Sequence, residues 1–196
     1  MKVKRIDNKY QLYKYLWLYK KPWYYRTKFE SSLQGVEVQD IIEALNIKNY
    51  GKRVEFIYDR ACQRLDEAAE GKNICEFCNG KCMFQRKGHL KDYNGCCRLC
   101  RYQSEKGCTT SNLACKTYFC GMARAKEVLP VYNDITIIKL YTIRQRIMCW
   151  DNYYASREDF LLELKVGLIL FYSFHTTYRM IKNFWWLKNH KQKKDK

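Results

Sequence analysis

Proline and histidine are scarce in this chain, two and three respectively among 196 residues. With so little imidazole, acid–base catalysis has few carriers, and no Ser-His-Asp or Cys-His pairing stands out. Acidic residues are also in deficit, 20 against 37 Lys plus Arg, which leaves a formal net charge of +17. Long apolar runs are missing too. The basic opening Met1-Lys2-Val3-Lys4-Arg5 is not followed by the apolar stretch and small-residue cleavage site of a secretory signal peptide. Val166 to Phe174 is almost continuously apolar, but Glu163 and Lys165 precede it and His175 follows, well short of the ~20 apolar residues of a membrane span. The chain is therefore read as cytoplasmic, in a reducing compartment where thiols persist. Global disorder is excluded, because 47% of residues are hydrophobic and 16% aromatic.

Cysteine is what the chain has in abundance. Of eleven, nine fall within one short segment: Cys75, Cys78, Cys82, Cys96, Cys97, Cys100, Cys108, Cys115 and Cys120. An odd total suits a disulfide framework poorly. Residues 72–121 also hold much of the glycine and lose all apolar periodicity, so little apolar surface is available there to offset the entropy of ordering. Metal–thiolate bonds are the expected support. Two residues between ligands let both sulfurs turn to one ion, and the pairs Cys75/Cys78 and Cys97/Cys100 match the CxxC–x15–20–CxxC zinc pattern. Either one four-thiolate site uses those pairs, or two sites share eight of the nine. In the second arrangement Cys75, Cys78, Cys82 and Cys96 form one site, and Cys97, Cys100, Cys108, Cys115 and Cys120 compete for the other. Zn²⁺ is the first expectation and an iron–sulfur cluster the alternative, since all-thiolate ligation suits both.

Residues 97–120, CRLCRYQSEKGCTTSNLACKTYFC, resemble the second half of the zinc- or iron-chelating CxxCxxCC cysteine-cluster family. Gly107-Cys108 and the close Cys115-Lys116-Thr117-Tyr118-Phe119-Cys120 carry the likeness. The family's compact opening is here split between Cys75–Cys82 and Cys96-Cys97, and its usual Arg-Pro is missing before Cys115. The resemblance covers about a quarter of the chain and implies metal chelation, with no defined activity to carry over.

Around this module the pattern is helical. Val36 to Leu45 reads as a short helix, Asn49-Tyr50-Gly51 as a turn, and Arg53 to Ala69 as a helix stopped by Gly71. Val54, Ile57, Tyr58, Ala61, Leu65 and Ala68 form its core face. Val131 to Trp150 reads as helix, although Ile135 to Ile138 is β-branched enough for strand. Ser156 and Asp159 form a capping box before one long helix starting near Arg157, with Phe160, Leu164, Leu168, Phe171, Tyr178 and Ile181 at helical spacing. Cys62 and Cys149, inside helices, are expected to behave as small hydrophobes. His89 is read as a loop residue able to replace a thiolate, His175 as a satisfied core or interface residue, and His190 as solvated.

The predicted fold is mainly α. A basic, aromatic N-terminal helical region (1–71) and a C-terminal helical region with a basic tail (122–196) share one core, and an irregular cysteine-rich metal-binding module (72–121) is inserted between them. Charge is concentrated at the ends, +7 over residues 1–30 and +6 over residues 179–196. It attracts polyanions, either nucleic acid or an anionic membrane surface. Aromatic rings interleaved with cations suit nucleic-acid contact by Lys14, Trp17, Lys20, Lys21, Trp23 and Arg26. The same stretch could instead pack its rings inward. The expected role is non-enzymatic, a zinc-stabilised scaffold presenting basic surface to nucleic acid, with no small-molecule substrate inferred. The alternatives are an iron–sulfur protein in electron transfer or redox sensing, and a scaffold for protein or membrane-surface contacts.

Overall fold

The structure, a computed structural model, describes residues 2–8, 11, 22–70, 77–78, 81–82, 103–104, 107–108, 110–117, 135–151, 155–167 and 169–191. These are mainly helical, with six α-helices and three small two-stranded pairings.

Strand β1 (Lys2–Ile6) runs parallel to β2 (Thr27–Ser31), with Lys2 opposite Thr27 and Ile6 opposite Ser31. No strand is expected here from the sequence, which opens on a run of positive charge. The strand exists because Ile6 and Phe29 are buried in the core while Lys28 and Glu30 stay outside. Asn46 extends the ladder from the far side of β2, its side-chain oxygen accepting from Phe29 N and its nitrogen donating to Phe29 O, both at 2.9 Å. Pro22 opens a short 3-10 turn, Pro22–Arg26, that delivers the chain into β2. In that turn the buried Tyr24 hydroxyl donates to Leu45 O at 2.5 Å and accepts from Arg53 Nη1 at 2.8 Å.

Helix α1 (Val36–Asn46) follows Gly35, whose φ of 128° favours glycine. Helix α2 (Tyr50–Ala69) starts earlier than expected. The Asn49 side chain accepts from Lys52 N, so Tyr50 and Gly51 form the first turn of the helix instead of a connecting turn. Its predicted face is otherwise buried, from Val54 to Leu65, but Ala68 is exposed where the last turn runs past the core. Asp40 of α1 is buried and satisfied by Arg64, at 2.7–2.8 Å, with Arg60 at 3.5 Å.

Beyond a single helical turn, α3 (Leu113–Lys116), a three-residue-per-turn segment, Thr136–Leu140, replaces the first part of the helix expected over 131–150, and α4 (Ile143–Asp151) follows. The β-branched run is thus neither helix nor strand. Ile137, Ile138 and Leu140 are buried, and the Tyr141 hydroxyl donates to Val54 O at 2.7 Å. Thr142 Oγ1 accepts from Gln145 N and restarts the helix. Residues 131–134 lie outside the described residues.

Helix α5 (Arg157–Val166) begins where the capping box predicts, with Ser156 Oγ accepting from Asp159 N at 3.1 Å. It ends at Gly167, whose φ of 66° is left-handed and whose N–H bonds Glu163 O at 2.8 Å. The expected single long helix is therefore two, α5 and α6 (Ile169–Lys191). Phe160 and Leu164 are buried as their spacing implies, whereas Tyr178 and Ile181 are exposed. Leu168 and the side chain of Phe171 lie outside the described residues.

The core draws on both ends of the chain: Ile6 and Phe29, the faces of α1 and α2, Ile137 to Leu140, and Phe160 and Leu164 of α5. Tyr58 and Phe160 meet edge-on at 5.2 Å. At the surface Arg157 ties α5 to α2 through Asp59, at 2.6–2.7 Å, and Glu55, at 3.0 Å. Among the described residues no helix is long and apolar enough to cross a membrane.

Candidate metal centre

Four of the nine candidate ligands fall on described backbone. Cys78 ends β3 (Phe77–Cys78) and Cys82 ends β4 (Lys81–Cys82), which pair antiparallel with Phe77 opposite Cys82 and Cys78 opposite Lys81. The strands lie two residues apart in sequence, across Asn79-Gly80, and Asn-Gly is the dipeptide that two-residue hairpin connections favour. Cys108 ends β6 (Gly107–Cys108), which pairs antiparallel with β5 (Gln103–Ser104) and sets Cys108 opposite Gln103. Cys75, Cys96, Cys97, Cys100, Cys120 and His89 lie outside the described residues.

Cys115 is the member of the set whose side chain is described. It sits half-buried in α3 (Leu113–Lys116), a single turn capped by Asn112, whose oxygen accepts from Cys115 N at 2.9 Å. The same Asn112 donates to Ala155 O at 3.2 Å, which fastens this turn to the lead-in of α5. From the other side the Tyr58 hydroxyl donates to Ser111 O at 2.9 Å and accepts from Leu113 N at 3.1 Å. Leu113 and Ala114 are buried in consequence. The segment 110–117, read from the sequence as part of the cysteine-rich insertion, is thus anchored on α2 and carries Cys115 at a fixed position against the core.

A cleft of about 700 Å³ lies beside this anchor, lined by Tyr58, Asp59, Cys62, Asp66, Lys116 and Arg157 among others. Several of its charges are matched within the fold. Asp59 is held by Arg157, and Asp66 by Lys116. Burial, ahead of every charge nearby, pushes the Cys62 thiol up to about 12, so it stays protonated at neutral pH and is a poor nucleophile. Burial likewise raises the Tyr58 phenol, with the neighbouring Cys62 adding to the effect. Cys62 and Cys149 are both buried, as expected of small hydrophobes. Among the described side chains no group of three or more His, Cys, Asp or Glu is placed to hold a metal ion.

Of the residues expected to meet nucleic acid, Arg26 is exposed at the end of the 3-10 turn, and Trp23 lies in that turn with its side chain outside the described set. Lys14, Trp17, Lys20 and Lys21 lie outside the described residues. His175, expected to be a satisfied core or interface residue, places Nδ1 3.2 Å from Glu163 Oε1. His190 falls on described backbone in α6, with its side chain outside the described set.

The sequence reading missed two features. One is the docking of Cys115 on α2, which the Ser-Asn sequence before Leu113, a capping signal, could have suggested. The other is the outward aromatic face of α6. In comparisons with protein families, curated proteins and solved structures, none matches the chain.

Proposed function

We propose that the chain is a non-enzymatic, zinc-binding cysteine-cluster protein that presents a basic, aromatic surface to nucleic acid. The observation that carries this reading is the pair of CxxC half-sites, within nine cysteines between residues 75 and 120, in a chain of net charge +17. The donor set is all sulfur, which fits a closed structural zinc site better than one built to hold a catalytic water. Two short antiparallel pairings whose strands include Cys78, Cys82 and Cys108 support it, because a paired backbone sets the spacing of ligand positions in a segment poor in apolar residues. The anchoring of Cys115 on α2 supports it further, since a ligand held by the core gives the module a fixed point. The resemblance of residues 97–120 to the chelating CxxCxxCC family points the same way. Retention of so many thiolates agrees with a reducing, cytoplasmic setting.

Metal analysis of protein purified without oxygen, together with an absorption spectrum, tests the metal. One or two zinc ions per chain and no visible colour are expected. A brown protein absorbing near ~400 nm would replace zinc with an iron–sulfur cluster. For nucleic acid, the expected result is binding that weakens steeply between low and physiological salt, because phosphate contacts release counterions. No binding even at low salt would remove nucleic acid as the partner and leave the metal reading standing.

A further inference from the structure

α6 is amphipathic with its faces reversed. Towards the body it turns His175, Thr176 and Arg179. Arg179 is 6% exposed and grips the fully buried Glu163 of α5 at 2.5 and 3.3 Å, while His175 lies 3.2 Å from the same carboxylate. Towards solvent it turns Phe174, Tyr178, Ile181 and Trp185, spaced by four, three and four residues and so within about 60° of one another around the axis. Phe174 is 73% exposed, Ile181 64% and Trp185 66%, and Met180 and Phe184 broaden the stripe. Large apolar side chains gathered on one exposed face mark an interaction surface.

We propose that this face is a docking surface for an anionic lipid bilayer, on which α6 lies in the plane of the headgroups. Charge selects the occupant. No acidic residue occurs from 169 to 191, whereas Lys182 and Lys188 are exposed beside the rings, and the chain from 179 to 196 carries +6. A second copy would set these lysines against their equivalents with nothing on the helix to offset them. Nucleic acid would find rings to stack on, but Ile181 within the stripe and Met180 at its edge offer neither a π-face nor a phosphate contact. An anionic bilayer satisfies both components, because aromatic and aliphatic groups enter the headgroup boundary while lysines reach lipid phosphates and carboxylates. The helix is too polar to cross a membrane, as an interfacial helix should be. The proposal concerns a different surface from the cysteine cluster and does not depend on it.

The test is co-sedimentation of the full chain with vesicles of phosphatidylcholine alone, and of phosphatidylcholine with about 30% phosphatidylserine. Binding at least tenfold tighter to the anionic vesicles is expected. The double variant Ile181→Ser/Trp185→Ser keeps the charge, so attraction by charge alone predicts no change. The proposal predicts a loss of at least tenfold, with far-ultraviolet circular dichroism and the urea midpoint unchanged. Lys182→Gln/Lys188→Gln should weaken anionic binding several-fold and leave binding to neutral vesicles as it was. Equal vesicle binding by the Ser variant and the wild type overturns the proposal, as does a wild type that ignores both vesicles. In that second case, a dimer that the Ser variant dissociates assigns the face to another copy, and loss of nucleic-acid binding assigns it to nucleic acid.

Discussion

Helices α2 and α6 are close in length, 20 and 23 residues, and present opposite faces to the protein. α2 buries Val54, Ile57, Tyr58, Ala61 and Leu65 and turns Asp59, Asp66 and Glu67 to water, the usual arrangement of a helix on a core. α6 buries an arginine against a carboxylate and leaves its rings outside. In both, apolar residues recur every three or four positions. A hydrophobic period therefore identifies a stripe that needs covering without saying what covers it. In α2 the cover is the rest of the chain. Among the described residues nothing covers the stripe of α6.

The contrast breaks most directly under ring truncation. Phe160→Ala removes a buried ring that meets Tyr58 of α2 edge-on and should cost ~3–5 kcal/mol in urea unfolding. Phe174→Ala on α6 should fall within about 0.5 kcal/mol of the wild type. Similar losses at the two positions would mean that the rings of α6 are packed after all. Removal of the clasp comes next. Glu163→Ala leaves Arg179 buried without its carboxylate and should cost ~3 kcal/mol. Amide exchange in α6 should accelerate more than in α2, and a uniform acceleration would show that the clasp supports the whole body.

High pH sharpens the comparison from the other side. Cys62 ionises near 9.0 when unfolded and near 12 in the fold, and burial also raises Tyr58. Each raised acid contributes stability that is complete below its unfolded value and is lost as pH climbs towards the folded one. The melting temperature should therefore fall from about pH 9 upward, and Cys62→Ala should flatten the first part of that fall. An unchanged profile in the variant would show that the thiol takes no part. The smallest effects belong to helix ends. Gly167→Ala forces a side chain into left-handed backbone, and Ser156→Ala deletes the cap of α5, each at ~1 kcal/mol by thermal or urea unfolding. If either substitution is neutral, that end of the helix is held by packing alone.

Features written over a few neighbouring residues were legible in the sequence. The Ser156 cap, the extent of α1 and the inner face of α2 depend on contacts within one or two turns. Features that depend on distant partners were hidden. β1 is a strand because of β2, some 25 positions away, and its Lys-Val-Lys-Arg-Ile pattern offers one buried residue, Ile6. Thr136–Leu140 is a short 3-10 segment from which Ile137, Ile138 and Leu140 all reach the core, packing that local sequence does not show. Gly167 was visible, but a glycine inside an apolar run reads as tolerated until its left-handed backbone is seen. Tyr178 and Ile181 share helical spacing with Phe160 and Leu164 in the sequence, and that register does not survive the break at Gly167. Cysteine spacing carries only the expectation of a metal centre, whereas the docking of Cys115 rests on Tyr58 of another helix.

Because β1 and β2 run parallel, the chain between them must leave one end of the pair and return to the other. The basic, aromatic stretch containing Lys14, Trp17, Lys20 and Lys21 lies in the sequence between those strands, so covalent connection closes it at both ends on the β1–β2 pair. A closed tether of this length can extend no more than about 30 Å from its moorings before both halves are taut. Any polyanion it meets must therefore also lie close to the body of the protein.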